Sequence, residues 1–294
     1  MKKHIIKAIS AMLVFSVMLC LSSCGNNAVD KSKLSCPDNL GDNDYLHNDD
    51  YELVWHDEFD GDKLDTSVWG YEIGYIRNNE PQYYTDSEKN VAVKDGALNL
   101  ICLREDFTAD DGVTSKYTSG SVNTKGKKNF KYGAIEMRAK LPSNYNPSSW
   151  PAFWMMGENG EWPESSETDI MESYGTDMTE YESNVHWSDE TKEDKYNNSA
   201  KVLGDIIKYY NDGEALGLDW HTYGVDWDEK QMRFYFDDKT IGSFDITDEV
   251  MSEIHQNNFI LLNLALTPSG IDRVDDSMFP LTYQIDYVRV YQKK

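Results

Sequence analysis

Cysteine is scarce in this chain, with four residues among 294, and none of their spacings fits a zinc site or a CxxC redox motif. Cys36 and Cys102 could pair in an oxidising compartment, although Cys102 lies in an apolar run and is expected to pack as a small hydrophobe. Basic residues are scarce as well. Only 28 Lys and Arg face 52 Asp and Glu, a formal net charge of −24. Such a chain repels phosphate backbones and densely sulfated polyanions, so nucleic acid is excluded and a neutral or cationic partner remains. Apolar runs long enough to span a bilayer are missing, and helical periodicity is weak everywhere except Val202–Tyr210. Aromatics are plentiful: 19 Tyr, 10 Phe and 8 Trp, which together with 39% apolar residues argues against disorder.

The N-terminus is read as a leader rather than as fold. Lys2, Lys3 and Lys7 precede a short apolar run over residues 11–21, the pattern of a secretory signal. Its ending, Leu21-Ser22-Ser23-Cys24, resembles a bacterial lipobox. That resemblance implies loss of residues 1–23, lipidation of Cys24, and a protein exported and lipid-anchored at a cell-surface or periplasmic membrane face. An ordinary signal peptide with an incidental cysteine is the alternative. Cleavage removes three lysines and no acid, leaving 25 basic and 52 acidic residues, a net −27. Residues 24–50 are polar and read as a flexible tether, and 51–294 read as one domain.

Within that domain, short strands alternate with turn residues. Over residues 131–141, Ile135, Met137, Ala139 and Leu141 share one face while Glu136, Arg138 and Lys140 share the other, the period of a half-buried strand. Met232, Phe234 and Phe236 alternate in the same way before the turn residues Asp237, Asp238 and Lys239. Residues 97–103 and 259–266 are continuously apolar, as strands buried on both faces are. Many strands with scarcely a helix predict an all-β sandwich or barrel.

Glu167, Asp169 and Glu172 fall at i, i+2 and i+5. The spacing alone decides little, because Asp60, Asp62 and Asp65 repeat it in what reads as a solvated turn. Context separates the two. Acids are depleted in strands, yet Glu167–Glu172 contains no turn former and encloses Ile170 and Met171. A regular strand puts Glu167 and Asp169 on one face and Glu172 on the other. A β-bulge at Ile170-Met171 returns Glu172 to the first face. Three carboxylates in one strip repel unless a proton is shared, and that strain is kept where it does chemistry. A solvated acidic face is the plain alternative. Trp150, Trp154 and Trp162 lie just upstream and His186 just downstream. Indole faces beside paired carboxylates suit sugar rings, while core packing is the other common use of each tryptophan.

Six segments in order resemble glycoside hydrolase family 16, the laminarinase and lichenase group. They are Leu53-Val-Trp-His-Asp-Glu-Phe59, Asn78-Asn-Glu-Pro-Gln-Tyr-Tyr-Thr85, Lys131-Tyr-Gly-Ala-Ile-Glu136, Trp150-Pro-Ala-Phe-Trp154, Glu167-Thr-Asp-Ile-Met-Glu172 and Ile285-Asp-Tyr-Val-Arg-Val290. The resemblance implies a jelly roll of two curved antiparallel sheets with a concave sugar cleft. It also implies Glu167 as nucleophile, Glu172 as general acid/base and Asp169 as the group that tunes the nucleophile, with no cofactor required. A retaining glycosidase needs one carboxyl ionised and one protonated, which the extra charge of Asp169 would favour at Glu172. By the same resemblance His186, Asn79 and Arg104 join the tryptophans as sugar-binding residues. Glu58 and Asp286 become candidate ligands of a structural calcium, with solvated surface acids as the alternative.

The expected activity is that of a retaining endo-β-glucanase, cutting internal β-1,3 bonds of a neutral, laminarin-like glucan. Mixed-linkage β-1,3-1,4-glucan is the nearest alternative substrate. A transglycosylase, or a glycan-binding lipoprotein without activity, would use the same fold. Sulfated galactans such as agar or carrageenan would want a basic cleft and are disfavoured. A monomer is expected, meeting the membrane through its lipid only.

Overall fold

The structure, a computed structural model, describes residues 48–188, 202–237 and 239–294. The leader, Cys24, Cys36 and nearly all of the tether lie outside these residues. Alternating apolar positions build two sheets. The larger has ten strands, running in the order Lys239–Asp245, Gln231–Phe236, His221–Trp227, Gly133–Lys140, Leu281–Lys293, Ala97–Thr108, Thr114–Ser119 and Tyr83–Tyr84. Tyr51–Asp57 pairs onto its Leu281–Lys293 strand and Val91–Lys94 onto Ala97–Thr108. The smaller has seven: Val202–Tyr210, Glu180–Ser188, Glu167–Glu172, Ser149–Gly157, Asn258–Leu266, Ser121–Asn123 and Gly70–Tyr71. This is the predicted two-sheet jelly roll. Its pairings are antiparallel except between Tyr83–Tyr84 and Thr114–Ser119, which run parallel.

The core lies between the sheets. Ile135, Met137, Ala139 and Leu141 face inward from the larger sheet and meet Phe153, Met155, Ile170, Met171, Ile260 and Leu262 from the smaller. Each such large side chain stabilises the fold by about 1.5–3 kcal/mol. Met232, Phe234 and Phe236 point inward as their alternation predicts, and all nine residues of Asn258–Leu266 are buried. Cys102 packs in the core as a free thiol, and burial pushes it up to about 12.

Three expectations need correction. Val202–Tyr210 is no helix but an edge strand, paired along its whole length with Glu180–Ser188, because ladder formation overrides a weak periodicity. Ala97–Thr108 is buried on one face only, since Asn99, Ile101 and Leu103 stay half-exposed. Glu136, placed on the polar face of its strand, is in fact buried beneath Tyr235, Tyr287 and Tyr291, whose hydroxyls donate to it at 3.0, 3.1 and 3.4 Å. Glu58 and Asp286, offered as calcium ligands, are each held by an arginine. Arg289 donates to both Glu58 oxygens at 2.9 Å, and Arg138 donates to Asp286 at 2.8 Å. Neither acid belongs to a metal-capable cluster among the described residues.

Candidate active site

The outer face of the seven-stranded sheet carries a cleft of about 310 Å³. Strand alternation on Ser149–Gly157 supplies Trp150, Ala152, Trp154 and Met156 to it, while Phe153 and Met155 go to the core. The neighbouring strand supplies Glu167, Asp169 and Glu172. The predicted bulge delivers the third acid. Asp169 pairs with Trp154, but Met171 pairs with Phe153, so two successive residues, Ile170 and Met171, turn into the core and Glu172 emerges on the cleft side.

The three acids are packed with few counter-charges. Burial raises Glu167 to about 8, aided by the charge of Asp169 and opposed by His186, Arg77 and a hydrogen bond from Trp162. Asp169 is raised by burial, with its hydrogen bond to Glu167 acting the other way. Glu172 is raised well above the carboxylate range, by burial and then by the charges of Asp169 and Glu167, with Trp150 and His186 acting the other way. Burial thus favours the protonated form of both glutamates, while Arg77 and His186 act toward ionisation at Glu167 and Trp150 and His186 do so at Glu172. Trp150 Nε1 donates to Glu172 Oε1 at 2.8 Å.

The other candidates divide. Trp162 is 37% exposed at the cleft beside Glu167, and Trp150 is half-buried there. Trp154 forms the floor but is only 6% exposed, because the Arg77 guanidinium lies 5.1 Å above its ring. Its indole N–H donates to Asn263 Oδ1 at 2.7 Å. His186 does not line the cleft. It is buried with Nε2 3.1 Å from Asp169 Oδ2 and 3.9 Å from Glu167 Oε1. Its geometry is that of a group that holds the central acid. Glu167, Asp169 and His186 are also close enough to hold a metal ion together.

Two predicted sugar ligands are misplaced. Arg104 is absent from the cleft lining and pairs with Asp276 at 2.8 Å, an interaction between distant segments that strand periodicity cannot reveal. Asn79 is exposed outside the cleft, and its neighbours Arg77, Asn78 and Glu80 line it instead. Asn78 and Asn79 there adopt φ of 56° and 53°, a left-handed turn that asparagine tolerates. The segment is tied down by Glu80, which accepts from Gln82 Nε2 at 2.7 Å and Tyr84 Oη at 3.2 Å. Asn263 Nδ2 donates to Tyr84 Oη at 3.3 Å, linking the loop to the cleft floor. Arg77, Asn78, Glu80, Ala152, Met156 and Asn263 are site residues that the sequence reading missed. Counting by twos from Trp150 would have found Ala152 and Met156. Nothing local announced Arg77.

Comparison with known proteins agrees with this geometry. Residues 54–293 match the family model described as the GH16 domain of β-porphyranases A–D. The chain is 34% identical over 275 residues to glucan endo-1,3-β-glucosidase A1 of Niallia circulans, covering 82% of this chain and 38% of that protein. It is 32% identical over 264 residues to a β-glucanase of Rhodothermus marinus, covering 82% of this chain and 85% of that one. The solved laminarinase catalytic domain from Thermotoga maritima MSB8 matches with a TM-score of 0.70 and 33% identity, over 83% of this chain and 99% of that one.

Proposed function

The chain belongs to glycoside hydrolase family 16, and from that premise we propose that it is a retaining endo-β-glucanase acting on internal β-1,3 bonds of a neutral glucan. The observation that carries the reading is the bulged strand, which puts three carboxyls of burial-raised proton affinity on one cleft face between Trp150 and Trp162. Glu167 attacks the anomeric carbon while Glu172 protonates the departing oxygen. Glu172 then takes a proton from water, and that water releases the sugar from Glu167. Asp169, held by His186, shares a hydrogen bond with Glu167 and keeps its charge in place. Export, attachment through Cys24 and a monomeric state belong to the same proposal.

A second substrate class has a specific observation in its favour. Arg77, which donates to Glu72, is a cation among cleft-lining residues that are otherwise acidic or neutral, and the matching family model is that of β-porphyranases, so porphyran joins the candidates. Reducing-sugar release from laminarin, barley mixed-linkage glucan, porphyran, agarose and xyloglucan separates them. Release from laminarin above all others is the expected result. Release from porphyran alone would move the assignment to a galactanase, and no release from any polymer would favour a binding protein. Product analysis at high acceptor concentration distinguishes hydrolysis from transglycosylation.

A further inference from the structure

Tyr174 lies beyond the strand that holds the three acids, yet the sheet register delivers it to them. Glu172 pairs with Ala152, and the antiparallel run continues past the strand end. Ser173 N–H donates to Pro151 O at 3.2 Å, and Gly175 N–H donates to Ser149 O at 2.9 Å. Alternation turns Ser173 inward, where its hydroxyl donates to Glu180 O at 3.1 Å. Tyr174 is then left on the cleft face directly across from Trp150, with ring centroids 5.6 Å apart and planes inclined by 30°. The backbone has no slack here, since a Cβ on Gly175 would lie 1.9 Å from Asn146 O.

Both rings lie against one carboxyl. Trp150 Nε1 donates to Glu172 Oε1, and Tyr174, packed on the Trp150 ring, brings its hydroxyl beside the same group. We propose that Tyr174 is a positioning residue for the proton donor: Trp150 holds Glu172 Oε1, and Tyr174, stacked on Trp150, flanks the same carboxyl and donates to it as the carboxylate forms. The inference rests on Glu172 being the acid/base. In the first step the bond from the anomeric carbon to the leaving oxygen breaks, that oxygen takes the Glu172 proton, and Glu167 bonds to the carbon. In the second, water oxygen displaces Glu167 and its proton returns to Glu172. The carboxyl thus cycles between acid and carboxylate, and two fixed donors stabilise the carboxylate as it forms. Burial, followed by the charges of Glu172 and Glu182, pushes the Tyr174 phenol well above its ordinary range, so it remains a neutral donor throughout.

The other ionisable groups that bear on Glu172 are Glu167 and Asp169 from its own strand, and His186 and Glu182 from the next. Lys208 on the edge strand is already paired with Glu182. None of these is altered by Tyr174→Phe, which removes only the hydroxyl. With laminari-oligosaccharides, kcat of this variant should fall about 10- to 100-fold while KM changes little. The alkaline limb of kcat/KM should move to higher pH, because Glu172 loses a donor that favours its charged form. An aryl laminaribioside with a dinitrophenolate leaving group departs without protonation, so its initial burst should match the wild type. Equal losses on both substrates, or an unmoved alkaline limb, would overturn the inference. A wild-type enzyme that cleaves neither substrate would instead remove the glucanase reading beneath it.

Discussion

The imidazole of His186 hydrogen-bonds Asp169 and reaches Glu167 at the edge of ion-pair range: Nε2 stands 3.1 Å from Asp169 Oδ2 and 3.9 Å from Glu167 Oε1. Glu167 and His186 face each other across neighbouring strands, so the ring reaches the central acid from the nucleophile's side. The His186 ring there lowers the proton affinity of Glu167. In His186→Ala the acid limb of kcat/KM should therefore shift to higher pH. A shift of one unit costs about tenfold in kcat/KM on that limb. A pH–rate profile superimposable on the wild type would show that the histidine is only structural.

Burial of Glu167 links activity to stability. Its folded proton affinity is raised above the unfolded value, to about 8, so its stabilising contribution is fully present below about pH 4.5 and is lost as pH rises toward 8. Glu167→Gln removes the ionisable group and with it this loss. At pH 8 the variant should be more stable than the wild type by about 1–3 kcal/mol, with the difference vanishing near pH 4. The same variant should hydrolyse nothing yet still bind glucan. Urea melts at the two pH values and affinity electrophoresis on laminarin measure both effects, and ordinary turnover by Glu167→Gln would sink the nucleophile assignment.

Trp162 is the most exposed aromatic face at the cleft, while Trp154 is capped by Arg77. Sugar stacking should therefore depend on Trp162. Trp162→Ala is expected to raise KM for laminari-oligosaccharides about tenfold, the equivalent of one aromatic contact. Trp154→Phe should act mainly through stability, since it loses the hydrogen bond to Asn263. Steady-state kinetics and thermal melts on the two variants test the division. The reverse pattern would place the platform at Trp154.

On the opposite sheet, Arg289 holds Glu58 through two hydrogen bonds and opposes the burial-raised proton affinity of Glu136. Arg289→Met leaves two sheltered carboxyls without their cation. Removing one member of such a buried pair costs about 3–5 kcal/mol, so the variant should melt much earlier while keeping its kcat at low temperature. A variant with an unchanged melting temperature would mean that the pair contributes nothing net.

The sequence by itself determined what repeats at a local period. Alternation of apolar side chains placed Ile135 to Leu141 and Met232 to Phe236 on the core face, and the odd spacing of Glu167, Asp169 and Glu172 forced the bulge, because no regular strand puts all three on one side. These are consequences of backbone geometry, which a few neighbouring residues specify. Tertiary structure decided the partners. Arg104 met Asp276, Glu58 met Arg289, His186 met Asp169, and around the left-handed turn at Asn78-Asn79 the cleft took Arg77, Asn78 and Glu80 in place of the expected Asn79. Charged and hydrogen-bonding side chains can satisfy themselves with any suitable group that folding brings near. Their partners are therefore set by which distant strands become neighbours, and no local period in the chain carries that information.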